Sequence, residues 1–215
     1  VEENGRNAQT SVNIATAFNN YSSRVGKSLA SKIPDSSHNF KTYMPPMTSQ
    51  SIFLQPTDEN EIIDIINSLN VSSACGPHSI PTNLLRLGSD LLAAPISIMI
   101  NQSFTLGIFP DILKIAKVVP IYKAGDTKFC SNYRPISLLS NISKVLEKAI
   151  HSGVSAYLEK FKLIYALQFG FRKNHSSSHA LINFVSTVSD VLDRGDFACG
   201  VFLDLQKAFD TVNVK

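Results

Sequence analysis

The sequence has few cysteines and no long apolar run, and both absences restrict the kind of protein it can be. Its three cysteines, Cys75, Cys130 and Cys199, are odd in number and far apart. This spacing fits neither a zinc site nor a disulfide framework, so we expect no disulfide partner and an intracellular location, nucleus or cytoplasm. The apolar run from Leu91 to Ile100 is too short to span a membrane, and no signal peptide is visible. We therefore expect a protein that is neither secreted nor membrane-bound.

The charges are unevenly distributed along a chain of ordinary globular composition. Hydrophobic residues make up 44% and charged residues 17% of the sequence, enough for a buried core. The net charge is only +3, but the segment from Asp111 to Lys173 holds 11 basic and 4 acidic residues, a balance of +7. A basic middle indicates a polyanionic partner. A solvated, lysine-rich surface explains the same count, and the composition does not choose between them.

The first half of the sequence predicts helices that pack and carry no chemistry. Ile14, Phe18 and Tyr21 have helical spacing, and loop-forming residues follow Pro34. Thr57 is expected to cap the next helix, and a loop is expected from Val71 to Ile80. A second helical stretch begins at Pro81 and is expected to kink near Pro95 and to stop at Gly107. We divide the chain into residues 1–56, an N-terminal helical and linker segment, residues 57–107, a helical region, and residues 108–215, the expected functional domain.

A β-hairpin with one cation on each arm is predicted next. Residues 115–123 are rich in β-formers, Ala124-Gly125-Asp126 is a turn, and a returning strand follows Asn132. Lys123 lies on one arm and Arg134 on the other. Lysine as a point charge and arginine as a planar fork are both phosphate partners. A Gly-rich phosphate loop is absent, so these side chains would act as clamps.

An aromatic and basic loop separates the next two predicted helices, Ser140 to Lys160 and Ser177 to Gly195. Its residues are Gln168-Phe169-Gly170-Phe171-Arg172-Lys173, in which two rings are followed by two cations. Such a pattern suits stacking on bases and pairing with phosphates. His175 and His179 are four residues apart, which is compatible with metal binding but is more often a surface pair at a helix N-terminus.

The last predicted element is a short buried strand, residues 197–204, that ends in Asp204. An apolar strand with a carboxylate at its C-terminal end can present a metal ligand or a catalytic acid. The same residue could equally cap a turn. From this segment alone both interpretations stand.

Four segments in this order resemble the reverse transcriptase of non-LTR (LINE-type) retrotransposons. They are residues 109–123, residues 132–139, residues 168–173 and residues 202–210. Gly76-Pro77 resembles an upstream element of the family, although His78 stands where an aspartate is usual. The resemblance implies an incomplete α+β, helix-dominated right-hand polymerase domain, with fingers and the first palm strand.

The resemblance also implies the roles of individual residues. It implies an RNA-directed DNA polymerase, a nucleotidyltransferase that acts on an RNA template, a DNA primer and deoxynucleoside triphosphates through two Mg²⁺ ions. Its roles fall on these positions: Asp204 and the Leu205 carbonyl for metal binding and catalysis, Lys123, Arg134 and the steric gate Phe209 for the nucleotide, Gln168, Phe171, Arg172 and Lys173 for the template, and Asp210 as a structural acid.

Part of what the family requires does not occur in these 215 residues. The further catalytic carboxylates come on a hairpin with an aromatic-x-Asp-Asp motif, which the sequence lacks. Together with a start at Val1 instead of Met, this predicts a fragment that is truncated after its first catalytic motif and inactive alone. The alternatives are an RNA-binding remnant or co-opted module without catalysis, and a relic with no activity.

Overall fold

In the computed structural model the chain forms two units, which are described separately. One lies within Val1–Ser155 and the other within Ala156–Gln206. The structure describes residues 2–3, 6–7, 9–34, 42, 50–77, 80–205 and 208. This division does not test the domain boundaries at residues 56 and 107, which stay predictions.

The first unit begins with a short hairpin and a long helix. Strand β1 (Glu2–Glu3) pairs antiparallel with β2 (Arg6–Asn7), and helix α1 follows at Ser11–Ala30. The Thr10 hydroxyl accepts a hydrogen bond from the Asn13 amide at 3.3 Å, which caps the first turn. The helix predicted from the spacing of its apolar residues is confirmed and is longer than the pattern indicated.

Four helices build the core of the first unit. They are α2 (Glu59–Asn67), α3 (Thr82–Leu87), α4 (Ser89–Leu106) and α5 (Asn141–Lys160), whose last turn belongs to the second unit. A short 3₁₀ helix, Asp111–Lys114, follows α4. Their apolar faces meet around fully buried side chains, among them Ile62, Ile66, Leu85, Ile100, Val145 and Leu146. Helix-on-helix burial of such aliphatic side chains holds this unit together.

Two local details differ from the sequence prediction. Asp58, and not Thr57, caps α2, because its Oδ1 accepts a hydrogen bond from the Glu61 amide at 2.8 Å. The Thr57 backbone is instead hydrogen-bonded to the Asn101 side chain. The Asn101 Oδ1 accepts from the Thr57 amide at 2.8 Å and its Nδ2 donates to the Thr57 carbonyl at 2.9 Å. Ser97 donates to the same carbonyl at 2.8 Å, so this buried loop backbone is fully bonded.

The break in the second helical stretch also lies elsewhere than predicted. The helix ends at Leu87, turns at Gly88, and restarts as α4, which runs through Pro95. Proline removes only one helical hydrogen bond, to the carbonyl four residues earlier, and packing of α4 offsets that loss. Gly107 ends α4 in the left-handed conformation, with φ 66°, as its position predicted.

The predicted hairpin is confirmed. Strand β3 (Lys117–Tyr122) pairs antiparallel with β4 (Tyr133–Leu138), with Ile121 opposite Arg134. The Lys123 amide donates to the Asn132 carbonyl at 2.9 Å, so these two residues form a hydrogen-bonded pair. In an antiparallel ladder hydrogen-bonded and non-hydrogen-bonded pairs alternate from there. Pro120 and Pro135 lie opposite each other and form a non-hydrogen-bonded pair, so the absence of their amides breaks no bond between the strands. Within the described residues both strands are edges, positions at which a strand tolerates proline.

The second unit contains the end of α5, a loop and helix α6 (Ser177–Asp193). The Ser176 hydroxyl accepts from the His179 amide at 3.4 Å and caps α6. The predicted terminal strand is wrong: residues 196–205 form neither helix nor strand, and Phe197 and Phe202 are 100% and 80% exposed. An apolar run becomes a strand only where a second strand pairs with it, and no strand among the described residues does so.

Candidate functional site

The loop that connects β3 and β4 is held in a fixed shape by the hairpin's own side chains. The Tyr122 hydroxyl donates to the Gly125 carbonyl at 2.6 Å, and the Tyr133 hydroxyl donates to the Thr127 carbonyl at 2.9 Å. Gly125 has φ 95°, and a Cβ on it would lie 2.6 Å from Asn132 Nδ2. Only glycine fits both the conformation and the close contact. The loop therefore positions the residues at its two ends.

Those ends carry Lys123 and Arg134 on the same face of the hairpin. Arg134 is opposite Ile121, and Lys123 follows Ile121 by two positions, so all three side chains share one face. Both cations are exposed, and neither has a hydrogen-bond or ion-pair partner among the described residues. Two adjacent uncompensated cations on a fixed hairpin form a suitable site for a phosphate-bearing ligand.

Helix α1 packs on the opposite face of the hairpin. The rings of Phe18 and Tyr133 meet edge to face, with centroids 4.8 Å apart. A cavity of about 530 Å³ lies between helix and hairpin, with Ile14, Pro120 and the buried Cys130 in its lining. The sequence pattern identified the apolar face of α1 but not what it packs against, so this contact was missed.

The upstream Gly76-Pro77 element joins the end of β4. The Gly76 amide donates to the Leu139 carbonyl at 3.1 Å. A Cβ on Gly76 would lie 2.6 Å from the Leu139 carbonyl carbon, so the backbones pack as closely as glycine alone permits. Asn141, 1% exposed, donates to the Ile80 carbonyl at 2.7 Å. His78 lies outside the described residues.

In the second unit, Arg172 is bound to Glu159. Its Nε and a terminal nitrogen donate to the two Glu159 carboxylate oxygens at 3.1 and 3.3 Å. This hydrogen bonding and the attraction of Arg172 lower the pKa of Glu159, with His175 adding to the effect. The Arg172 side chain is only 18% exposed. The contact of Arg172 with a template stays a prediction.

The neighbours of Arg172 in the loop face solvent. Phe171 is 96% exposed and has φ 57°, an unusual backbone conformation for a bulky residue. Lys173 is also exposed. Gln168 donates within the loop, from its Nε2 to the Gly170 carbonyl at 3.2 Å. An exposed ring beside an exposed cation suits single-stranded nucleic acid.

The two histidines near this loop form a pair at the N-terminus of α6. The His175 and His179 rings are 6.3 Å apart and nearly perpendicular. His175 Nδ1 lies 2.9 Å from the Lys173 carbonyl oxygen, and its ring is 6.0 Å from that of Phe169. In the part of the chain that the structure describes, no three metal-ligating side chains come together. The His175 ring contacts the loop, and the His179 ring lies beside it.

Asp204 is exposed in the non-helical segment that follows α6. The Leu205 side chain next to it is 74% exposed, and Phe209 and Asp210 lie outside the described residues. The ring of Phe202 packs against Phe184 of α6 at 5.6 Å. A divalent cation needs several anionic oxygens. The described residues supply one carboxylate here and do not fit Mg²⁺ on their own.

The predicted site residues are thus distributed over both units. Lys123 and Arg134 come together in the first unit. Phe171, Arg172 and Lys173 come together in the second, which also contains Asp204. Each group is described within its own unit.

Sequence comparison identifies the group of proteins to which this arrangement is related. Residues 121–215 match the family profile described as reverse transcriptase (RNA-dependent DNA polymerase). The chain is a relative of reverse transcriptases. The predicted resemblance to the non-LTR retrotransposon enzymes is confirmed.

Individual reverse transcriptases match most of the chain. The RNA-directed DNA polymerase from mobile element jockey of Drosophila melanogaster is 29% identical over 171 residues, which cover 79% of this chain and 19% of that protein. The probable RNA-directed DNA polymerase from transposon BS, of the same organism, is 28% identical over 163 residues, 75% of this chain and 18% of that protein. The chain therefore spans about a fifth of the length of these reverse transcriptases. Among the described residues no helix is long and apolar enough to cross a membrane.

Proposed function

We propose that this chain is part of an RNA-directed DNA polymerase. In this proposal the β3–β4 hairpin belongs to the fingers and binds the triphosphate of the incoming deoxynucleotide. The Gln168 to Lys173 loop lies against the RNA template, and Asp204 supplies a metal-binding carboxylate of the palm. The relatedness to reverse transcriptases supports the class of reaction, and the geometry of the hairpin supports the first of these roles.

The placement of Lys123 and Arg134 is the observation that carries the proposal. A triphosphate is a dense anion that must be held at several oxygens while its terminal groups leave. The Lys123 ammonium offers a mobile point charge, and the Arg134 guanidinium offers two parallel donors. Because neither cation has a partner among the described residues, neither loses an internal ion pair on binding.

The metal chemistry is a separate matter. Family members use divalent metal, but the described residues of this chain do not by themselves form a site for it. We propose that a polypeptide of these 215 residues does not extend primers, because a single carboxylate cannot hold two Mg²⁺ ions. Phe209 as the steric gate and Asp210 as a structural acid belong to the same proposal.

Steady-state kinetics of the full-length polymerase that carries this segment test the role of the hairpin. Lys123→Ala and Arg134→Ala are each expected to raise the KM for deoxynucleotides about tenfold or more, the value of one charge-assisted hydrogen bond. Lys128→Ala is the matched control, because Lys128 is exposed on the loop of the same hairpin. An unchanged KM in both hairpin variants would refute the proposal.

A second candidate function is RNA binding without catalysis, which the charge of +7 between Asp111 and Lys173 favours. Binding of the 215-residue chain to RNA should then weaken steeply with salt and be lost when Lys123, Arg134 and Arg172 are neutralised. A primer-extension assay on the same chain separates the two functions. Metal-dependent nucleotide incorporation by the isolated chain would contradict its predicted inactivity.

A further inference from the structure

We propose that Glu159 is a positioning residue for the RNA-binding loop and that it acts through Arg172. This inference rests on the proposed function, in which the loop lies against the template. The residues of the loop then have different roles: Phe171 and Lys173 contact RNA, whereas Arg172 fixes the loop to the end of α5. Glu159, an acid in a basic segment, thereby promotes the binding of a polyanion.

The contacts of Arg172 assign it to an internal ion pair. Two of its donors are bound to the Glu159 carboxylate, at 3.1 and 3.3 Å, in the fork arrangement that is the strongest arginine pair. The side chain is 18% exposed, whereas that of Glu159 is 49% exposed. With two of its five N–H donors bound to Glu159, this arginine has less exposed surface to offer a phosphate than Lys173 has.

The backbone on either side of Arg172 shows why it must be fixed. Phe171 has φ 57° and Asn174 has φ 61°, conformations that cost non-glycine residues free energy and persist only where surrounding contacts hold them. The Arg172 carbonyl accepts from the His175 amide at 3.3 Å, and His175 Nδ1 lies 2.9 Å from the Lys173 carbonyl. Arg172 is thus held at both its side chain and its backbone.

The consequence is a preorganised contact surface. Since residue 172 is fixed, its two neighbours are directed away from it, and Phe171 reaches 96% exposure. A loop backbone that is already ordered presents this ring to a base without a further cost of ordering the loop. If the Glu159 carboxylate is removed, the loop is free to relax to an unstrained backbone, and Phe171 and Lys173 are no longer presented by an ordered loop.

The sign of one charge change tests the proposal. Glu159→Gln removes a negative charge, so simple electrostatics predicts tighter binding of a single-stranded RNA oligonucleotide. Positioning predicts weaker binding, by about tenfold, because one bond to a charged group is lost. Binding is measured by fluorescence anisotropy of the 215-residue chain over a range of salt concentrations. Asp193→Asn is the matched control: Asp193 is exposed at the end of α6, and its neutralisation should leave binding unchanged or slightly tighter.

Three further variants separate this inference from the proposed function. Arg172→Lys keeps the charge but loses the fork, so it should weaken binding like Glu159→Gln without changing the salt dependence. Lys173→Ala should lower the slope of log K against log salt by about 1, because one phosphate contact is lost. The exchanged pair Glu159→Arg with Arg172→Glu should restore part of the affinity.

The outcomes are distinct. If Glu159→Gln and Arg172→Lys bind RNA as well as the parent chain while Phe171→Ala and Lys173→Ala bind weakly, the positioning role is refuted and the loop remains the template contact. If Phe171→Ala and Lys173→Ala also bind normally, the proposed function of the loop fails as well. Circular dichroism shows whether each variant is folded. If Glu159→Gln is not folded, the RNA affinity of Arg172→Lys decides between the outcomes.

Discussion

Phe18 of α1 meets Tyr133 of β4 edge to face, with ring centroids 4.8 Å apart and ring planes at 75°. The ring centroid of Tyr133 in turn lies 5.6 Å from that of Tyr122, on the same face of the hairpin. The helix therefore supports the hairpin from behind, while Lys123 and Arg134 occupy its other face. A segment far upstream in the sequence helps to fix the candidate phosphate site.

The contact between Phe18 and Tyr133 should be measurable as stability. Phe18→Ala removes an edge-to-face pair and part of a half-buried packing surface, and it should lower the free energy of unfolding by about 2 kcal/mol. Phe18→Leu keeps most of the apolar volume and should cost less than half as much. Urea unfolding of the chain, followed by circular dichroism, compares the two. Equal stabilities of the alanine variant and the parent chain would show that α1 does not support the hairpin.

Gly76 should tolerate no side chain. A Cβ there would lie 2.6 Å from the Leu139 carbonyl carbon and 2.8 Å from its oxygen, and backbone atoms cannot move aside as a flexible side chain can. Gly76→Ala should therefore cost about 3 kcal/mol of stability. Gly107→Ala is the control: its φ is 66° but nothing lies within 4 Å, so it should cost only about 1 kcal/mol. Thermal unfolding gives both values, and the reverse order would contradict the close approach.

Asn101 should be essential to the junction before α2. Asn101→Ala leaves the Thr57 amide without its partner at 2.8 Å and leaves the Thr57 carbonyl with the Ser97 hydroxyl alone, and it should cost about 2 kcal/mol. Asn101→Asp keeps the acceptor but places a negative charge beside a carbonyl, so it should not restore stability. Gln102→Ala, on the exposed side of the same helix, should change stability by less than about 0.5 kcal/mol. Denaturant unfolding distinguishes these outcomes.

The pair of Glu159 and Arg172 should open in acid. The hydrogen bond from Arg172 lowers the pKa of Glu159 below its usual 4.5, helped by the charges of Arg172 and His175. A lowered pKa in the folded state means that the pair stabilises the loop above pH 4.5 and that this contribution is lost as the pH falls through the lowered value.

NMR of the Arg172 Nε–H measures this opening directly. The signal should broaden and exchange as the carboxylate takes up its proton, and in Glu159→Gln the transition should be absent. Asp111 also has a pKa lowered by a neighbour, Lys114, but it lies in the other unit. Asp111→Asn should therefore leave the Arg172 signal unchanged. A signal that is insensitive to pH in the parent chain would contradict the ion pair.

Features that depend on neighbouring residues were predictable from the sequence. The β3–β4 hairpin follows from a β-rich run, a glycine turn and a second β-rich run. Its cations fall on one face because the side chains of a strand alternate, and that alternation needs no knowledge of the rest of the fold. Helices α1, α5 and α6 follow from apolar spacing.

Features that depend on a distant partner were not predictable. The pattern of α1 shows an apolar face but does not say that Tyr133 would meet it. The pairing of Arg172, predicted to contact the template, with Glu159 was missed, because nothing in the spacing of the two residues predicts that the loop returns to the end of α5. The strand predicted to end at Asp204 failed for a related reason: residue type gives β propensity, whereas a strand also needs another strand beside it.

The facing prolines of the hairpin also determine what can attach to it. Pro120 and Pro135 point their missing amides outward, one along each margin, so neither margin offers an unbroken row of donors to an incoming strand. Each missing amide is one hydrogen bond that an added strand could not form. Among the described residues the ribbon is two strands wide, and its cationic face is available to ligands.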